Sequence, residues 1–102
     1  MPQTIPVAAD LVRKIRRILP DLRREFPLRN LALFGSVARG DAHQGSDIDI
    51  LVDVDPRIGL GFVTLAERIE KELGHKVDLV SRRALKPALW KQIEPELIHV
   101  EA

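Results

Sequence analysis

Residues 28–54 read LRNLALFGSVARGDAHQGSDIDILVDV, and the pattern of this stretch predicts two strands joined by a short helix and a loop. The stretch opens with a short apolar run that ends at Gly35, and the length of that run suits a buried strand better than a helix. From Ile48 to Val54, isoleucine or valine stands at every second position, and two of the three positions between them are aspartate. This alternation is expected of a strand with one face in the core and the other acidic. Between the strands, the sequence predicts a short helix over Ser36 to Arg39 and a polar loop over Gly40 to Ser46.

The segment before this stretch has a helical pattern. Apolar residues recur at helical spacing from Ala8 to Leu19, with basic residues between them. Pro20 should interrupt or kink the helix, since a proline inside a helix removes one hydrogen bond. Asp21 to Glu25 could restart helix with Pro20 in its first turn, and Pro27 marks a stop.

The segment after this stretch alternates between helix and strand. Apolar spacing predicts a helix from Phe62 to Leu73 that closes at Gly74, then a strand over Lys76 to Ser81. The remaining patterns predict a helix over Ala84 to Ile93 with Pro87 in its first turn, and a last short strand over Leu97 to Val100. We therefore expect an α/β fold, with a small mixed or antiparallel sheet flanked by helices.

Composition bounds the possible functions. The chain has 102 residues, of which 45% are hydrophobic and 30% charged, so we expect one globular domain over residues 1–102. Residues 1–40 contain eight Lys/Arg against three Asp/Glu, and residues 41–102 contain eight against twelve, so the net charge is only +1. That balance argues against direct nucleic-acid binding through overall basicity.

Cysteine is absent, which excludes disulfides, thiolate metal sites and a cysteine nucleophile. No apolar run approaches the roughly 20 residues that cross a bilayer, and the first ten residues lack the pattern of a signal peptide. We therefore expect a cytoplasmic protein with no membrane partner.

The glycine turn at Gly35 and Ser36 leaves a strand and opens a helix. Free backbone N–H groups at such a turn can approach a phosphate, and Ser36 can donate a further hydrogen bond. An ordinary turn that caps a helix would contain the same two residue types without binding a phosphate. The pair alone therefore leaves both interpretations open.

Asp47 and Asp49 are separated by one residue on a predicted strand, so their carboxylates project from the same face, about 6.8 Å apart along the chain. Two acids there repel each other unless a cation joins them, and Mg²⁺ prefers hard oxygen ligands. A solvated polar face is the alternative interpretation. Asp78 interrupts the apolar run from Val77 to Val80, and could bring a third carboxylate to the same site if its strand lies beside that of Asp47.

These residues together resemble a known signature. Gly35-Ser36, ten residues, then Asp47-Ile48-Asp49 is similar to the pattern of the DNA polymerase β-like nucleotidyltransferase superfamily, with Asp78 in the place of its third catalytic carboxylate. The small size and tight spacing most resemble the minimal nucleotidyltransferases (MNT proteins, MntA type). These are the antitoxins of HEPN/MNT toxin-antitoxin pairs.

The resemblance implies a role for each site residue. Gly35 and Ser36 would bind the β- and γ-phosphates of ATP, the nucleotide substrate. Three acids would ligate one or two Mg²⁺ ions and act in catalysis: Asp47, Asp49 and Asp78. Arg39 could pair with a phosphate or, equally, with Asp41 at the surface.

In that family, AMP is transferred from ATP to a tyrosine of the partner HEPN toxin, an RNase, and this transfer blocks the toxin. The chain has no tyrosine of its own, which fits an acceptor on another polypeptide. Two other functions compete with this hypothesis. The chain could be a binding module that neutralises a toxin by occlusion alone, or a nucleotidyltransferase for small molecules such as aminoglycosides.

Several other residues could mark a site but favour structural roles. His43 lies in the polar loop and is expected to be exposed, while His75 and His99 have no partners at metal spacing. Asp53 is expected to cap the turn that follows its strand. Trp90 could pack in the core or contact a partner.

The first predicted helix has a basic face, which is either a solvated surface or a docking patch for an acidic partner. Its residues are Arg13, Lys14, Arg16 and Arg17, with Arg23 and Arg24 beyond them.

Overall fold

The computed structural model describes residues 5–101 and contains helices on both sides of a four-stranded sheet. Its helices and strands are α1 (Ala8–Glu25), β1 (Leu28–Phe34), α2 (Gly35–Arg39), β2 (Ile48–Val54), α3 (Gly61–Leu73), β3 (Val77–Ser81), α4 (Pro87–Ile93) and β4 (Ile98–Val100). Short 3₁₀ turns cover Pro56–Ile58, Arg82–Ala84 and Glu94–Glu96.

The sheet is mixed, with strand order β3-β2-β1-β4. β1 is antiparallel to both β2 and β4, whereas β2 and β3 are parallel and are connected through α3. A parallel pair needs a crossover connection, and α3 supplies it. The expected α/β fold with a small mixed sheet is confirmed.

The core lies between one face of the sheet and the helices α1 and α3. Both helices bury an apolar stripe, because leucine and isoleucine recur in them every three or four residues. Ile50 and Val52 of β2 face this layer and are fully buried. The residues that the two helices bury are Leu11, Ile15, Leu19, Leu22, Leu65, Ile69 and Leu73.

The helix α1 runs through Pro20 without a break, so the predicted interruption is wrong. Leu19 and Leu22 on either side of the proline are both buried in the core. Their burial holds the two halves of the helix on one face, and tertiary packing outweighs the one hydrogen bond that Pro20 cannot donate.

The helix α4 begins at Pro87, three residues later than predicted from Ala84. Lys86 has an extended backbone with ψ of 151°, because the residue before a proline is disfavoured in the helical region. Residues Arg82–Ala84 form a separate 3₁₀ turn. No helix within residues 5–101 combines the length and the apolar character needed to cross a bilayer.

Candidate functional site

Gly35 joins β1 to α2 in a conformation that only glycine adopts easily. Its φ is +73°, in the left-handed region. A Cβ atom at this position would lie 2.1 Å from Oδ2 of Asp49, on the neighbouring strand. The missing side chain therefore lets the carboxylate of Asp49 lie directly against the backbone of the turn.

The helix α2 is one short turn that carries the next two candidate residues. It ends at Gly40, whose left-handed backbone lets the N–H of Asp41 donate to the carbonyl oxygen of Ser36, 3.0 Å away. The Ser36 side chain is half-buried and lines the same cavity as Asp49. Ser36 therefore lies close to the carboxylate on β2.

Asp49 and Asp78 lie side by side. They are directly paired in the parallel register of β2 and β3, so their side chains project from the same face of the sheet, the face opposite the core. Asp47 precedes β2, is exposed, and does not line the cavity that holds the other two. Within residues 5–101, no three His, Cys, Asp or Glu side chains converge closely enough to hold a metal ion. Metal ligation by the three acids stays a prediction.

The electrostatics centre on Asp49. Burial raises the pKa of its carboxyl, and the negative charges of Asp78 and Asp47 raise it further, whereas the positive charge of Arg39 lowers it. Ionisation of Asp49 therefore costs more free energy here than at an exposed position, and a bound cation would offset that cost. This is the electrostatic environment expected of a carboxylate that binds a cation.

A cavity of about 420 Å³ collects the candidate residues at one end of the sheet's outer face. Its walls come from the β1–α2 turn, from β2 and β3, and from α4 with its following 3₁₀ turn. The residues that line it are Phe34, Gly35, Ser36, Arg39, Asp49, Asp78, Val80, Leu85, Leu89, Gln92, Ile93 and Glu96. Five of the six predicted site residues thus share one cavity, and Asp47 stands outside it.

Arg39 contacts two acids. Its Nε atom donates to Oδ2 of Asp41 and its Nη1 atom to Oε2 of Glu96, each at 3.2 Å. The predicted pairing with Asp41 is confirmed, and pairing with a phosphate stays a prediction. Glu96 also accepts a hydrogen bond at 2.9 Å from the backbone N–H of Gly35.

Glu96 is a residue of this site that the sequence patterns do not indicate. It lies 61 residues after Gly35, in the 3₁₀ turn Glu94–Glu96 that precedes β4. No local pattern marks it as different from neighbouring acids. Only its position just before the predicted last strand could have indicated that it reaches the sheet edge.

The predicted exposure of His43 is confirmed, whereas the structural roles of His75 and His99 stay predictions. His43 is exposed in the loop, where its backbone N–H donates to Oγ of Ser46 at 2.9 Å. His75 is half-buried before β3, and His99 is exposed on β4.

The capping role expected of Asp53 is wrong. The turn after β2 is capped by Asp55, whose Oδ1 accepts from the N–H of Arg57 at 2.8 Å, because Asp55 immediately precedes the 3₁₀ turn. Asp53 instead lines a second cavity, of about 430 Å³, on the outer face of the sheet. Trp90 lines this cavity as well and stacks on the Arg82 guanidinium, 3.8 Å from the ring centroid.

Local contacts occupy much of the basic face of α1. Arg13 pairs with Asp10 and Arg24 with Asp21, three residues apart in each case. Two further arginines donate to backbone carbonyls: Arg16 to Glu101 and Arg23 to Arg29. These contacts favour a solvated surface over a docking patch.

Comparison with known proteins gives a family match over most of the chain. The profile of the nucleotidyltransferase domain family matches residues 15–100. A Thermococcus cleftensis protein named protein adenylyltransferase MntA is 42% identical over 82 residues, which cover 78% of this chain and 82% of the relative. A Methanocaldococcus jannaschii protein, provisionally named a protein adenylyltransferase, is 38% identical over 102 residues, covering 96% of this chain and 99% of its own.

Solved structures give the same fold. A crystal structure described as a toxin-antitoxin with AMP-PNP contains a chain that is 29% identical, with a TM-score of 0.68 over 85% of this chain and 73% of that one. A structure of tri-AMPylated Shewanella oneidensis HEPN toxin in complex with an MNT antitoxin matches with 26% identity and a TM-score of 0.65, over 90% of this chain and 72% of that one.

Proposed function

Because the chain belongs to the nucleotidyltransferase family, we propose that it transfers AMP from ATP to a tyrosine of a HEPN-type RNase toxin and thereby blocks that toxin. The chain is a nucleotidyltransferase, and its named relatives are protein adenylyltransferases. The resemblance inferred from Gly35-Ser36 and Asp47-Ile48-Asp49 is confirmed by this match. The acceptor, the metal and the role of each residue are the proposed part.

One observation carries the proposal. Asp49 and Asp78 project side by side into the cavity that also contains Gly35 and Ser36. A paired carboxylate beside a glycine turn combines ligands for a cation with donors for a phosphate, and phosphoryl transfer depends on holding these two groups together.

The acidic residues fit Mg²⁺. They offer the hard carboxylate oxygens that this ion prefers, and burial together with the neighbouring acids raises the pKa of Asp49, so a cation would relieve an existing repulsion. Asp49 and Asp78 would hold the ion, with Asp47 at the exposed side. When bound, Mg²⁺ would neutralise charge on the phosphates and on the leaving pyrophosphate.

The chain's own residues would bind and orient the substrates. The backbone N–H of Gly35 and the hydroxyl of Ser36 would hold the β- and γ-phosphates, with Arg39 as a further cation. The tyrosine oxygen then forms a bond to the α-phosphorus, and the bond from that phosphorus to the bridging oxygen breaks, so pyrophosphate leaves. Asp78 is exposed at the mouth of the cavity and would accept the hydroxyl proton.

The acceptor is proposed to lie on a second protein. The chain contains no tyrosine, so it cannot modify itself on that residue. Structural relatives include an MNT antitoxin in complex with an AMPylated HEPN toxin. The lack of cysteine is compatible with the cytoplasm, where ATP and Mg²⁺ are available, and we propose that the reaction occurs there.

The test is label transfer. The chain is incubated with ATP labelled at the α-phosphate, Mg²⁺ and the HEPN-type toxin encoded beside its gene, and label is expected on a toxin tyrosine, with loss on chelation. Asp49→Asn should lower the rate at least about a hundredfold, since it removes a charged group that acts in the transition state. Asp53→Asn is the matched control, because Asp53 lies on the same strand but lines the other cavity. An unlabelled toxin with ATP and every other common triphosphate would overturn the proposal.

Occlusion is distinguished by the same reagents. If Asp47→Asn still neutralises the toxin fully while label transfer is lost, binding alone inhibits the toxin and the proposed transfer is not the mechanism of neutralisation. If neutralisation is lost together with the label, the transfer is required.

A further inference from the structure

The carboxylate of Glu96 bridges two hydrogen-bond donors at the β1–α2 turn, the backbone N–H of Gly35 and the guanidinium of Arg39. Its Oε1 atom accepts from the backbone N–H of Gly35 at 2.9 Å, and its Oε2 atom accepts from Nη1 of Arg39 at 3.2 Å. The Glu96 side chain is only 21% exposed, so it lies mostly within the cavity wall rather than in solvent. Each oxygen of the Glu96 carboxylate therefore already accepts a hydrogen bond from one of these two donors.

These donors are the ones that a phosphate would use. Carboxylate and phosphate oxygens are both anionic acceptors, and they favour the same partners, namely backbone N–H groups and guanidinium. The single N–H of Gly35 cannot make a full hydrogen bond to Glu96 and to a phosphate at the same time. The charge of Glu96 would also repel a triphosphate placed beside it.

We propose that Glu96 is a built-in competitor of the nucleotide: its carboxylate and the triphosphate compete for the backbone N–H of Gly35 and the guanidinium of Arg39. The inference rests on the proposed function, because it assigns these two donors to the phosphates of ATP. Glu96 then controls how tightly the triphosphate is held and how readily pyrophosphate leaves. It is an affinity-setting residue and takes no part in the chemical step.

The test measures ATP binding by titration calorimetry in the presence of Mg²⁺ and without a toxin. Glu96→Gln keeps the size of the side chain but removes its charge, and we expect the Kd for ATP to fall about tenfold, since a competing charge-assisted contact is lost. Glu96→Asp is a second variant, because its carboxylate is one methylene too short to reach both donors. It should also bind ATP more tightly than the unmodified chain. Thermal unfolding verifies that both variants are folded.

Asp41→Asn is the matched control. The substitution removes a negative charge beside the same guanidinium, since Oδ2 of Asp41 lies 3.2 Å from Nε of Arg39, whereas the N–H of Gly35 donates to Glu96. Its Kd should stay within about twofold of the unmodified chain, because its carboxylate is exposed and occupies only one of the two donors.

The outcomes separate this inference from the proposed function. Equal tightening by Asp41→Asn and Glu96→Gln would reveal a general charge effect and overturn the inference. Unchanged or weaker binding by the folded Glu96 variants, when the unmodified chain binds ATP, would also overturn it while leaving the proposed function intact. If the Glu96 variants bind ATP and the unmodified chain does not, the result would support both the competition and the proposed function. If none of these proteins binds ATP, the result would overturn the proposed function, and the inference about Glu96 would fail as well.

Discussion

The carboxylate of Asp49 occupies the space in which a side chain at position 35 would have to lie. A Cβ atom built on Gly35 would be 2.1 Å from Oδ2 and 3.0 Å from Cγ of Asp49. The distance to Oδ2 is far below that of real Cβ contacts and the distance to Cγ is at their tight limit, so any side chain at position 35 would require the Asp49 carboxylate to move. The backbone of the glycine turn at Gly35 and the carboxylate of Asp49 on β2 therefore pack directly against each other.

Gly35→Ala should therefore damage the site and the fold together. The new methyl group must displace Asp49, and the backbone at φ of +73° disfavours any side chain. We expect the free energy of unfolding to fall by about 2–4 kcal/mol and nucleotidyl transfer to be lost. Urea unfolding and the label-transfer assay measure the two effects.

Gly40→Ala separates the two causes. Gly40 has a similar φ of +81°, but nothing lies within 4 Å of the Cβ it would gain. It should lose only about 1 kcal/mol, the cost of the left-handed backbone. If both variants lose the same stability, backbone strain alone explains Gly35, and the contact with Asp49 has no energetic consequence.

Local pattern predicted the central strands to the residue. β1 and β2 have the predicted bounds, because apolar runs bounded by glycine, proline and aspartate define a strand without help from distant residues. The pairing of Asp49 with Asp78 was expected only on the condition that their strands are neighbours. The structure satisfies that condition through the α3 crossover.

Features that depend on distant contacts could not be read from the sequence. The continuity of α1 through Pro20 depends on packing against the sheet, which local propensity does not contain. The contact of Glu96 with Gly35 joins residues 61 positions apart, and one acid among several carries no signal of such a partner. The start of α4 is different, because the rule that the residue before a proline is extended would have placed it correctly.

Pro20→Ala should stabilise the chain. Pro20 is exposed inside α1 and cannot donate a backbone hydrogen bond to the preceding turn, and alanine restores that donor. We expect the free energy of unfolding to rise by about 1–2 kcal/mol, after allowance for the greater freedom of the unfolded chain. Arg17→Ala, at another exposed position of the same helix, should change it by less than about 0.5 kcal/mol. A loss of stability in Pro20→Ala would mean that the proline supports the helix in a way that packing does not explain.

Trp90 provides a fluorescence probe of the outer face, since it is the only tryptophan. Its ring stacks on Arg82, and Arg82→Gln should lower the free energy of unfolding by about 0.5–1 kcal/mol and shift the emission of Trp90 to longer wavelength. Arg83→Gln is the control, because Arg83 lies exposed in the same 3₁₀ turn and should change neither. An unshifted emission in Arg82→Gln would show that the ring keeps its environment without the cation.

Asp49→Asn should stabilise the fold in a pH-dependent way while removing activity. Burial and the charges of Asp78 and Asp47 raise the pKa of Asp49 in the folded chain, so the folded state binds this proton more tightly than the unfolded state does. Stability therefore falls as the pH rises through the unfolded and then the folded pKa, and the full penalty applies above the folded pKa. Asparagine carries no charge, so the thermal unfolding midpoint of the Asp49→Asn variant should exceed that of the unmodified chain by a few degrees at pH 7, and the difference should vanish towards pH 3.

Glu67→Gln, a substitution at an exposed position on α3, is the control and should show no such trend. A midpoint lowered at pH 7 in Asp49→Asn would mean that the ionised carboxylate makes stabilising contacts that outweigh its burial and repulsion.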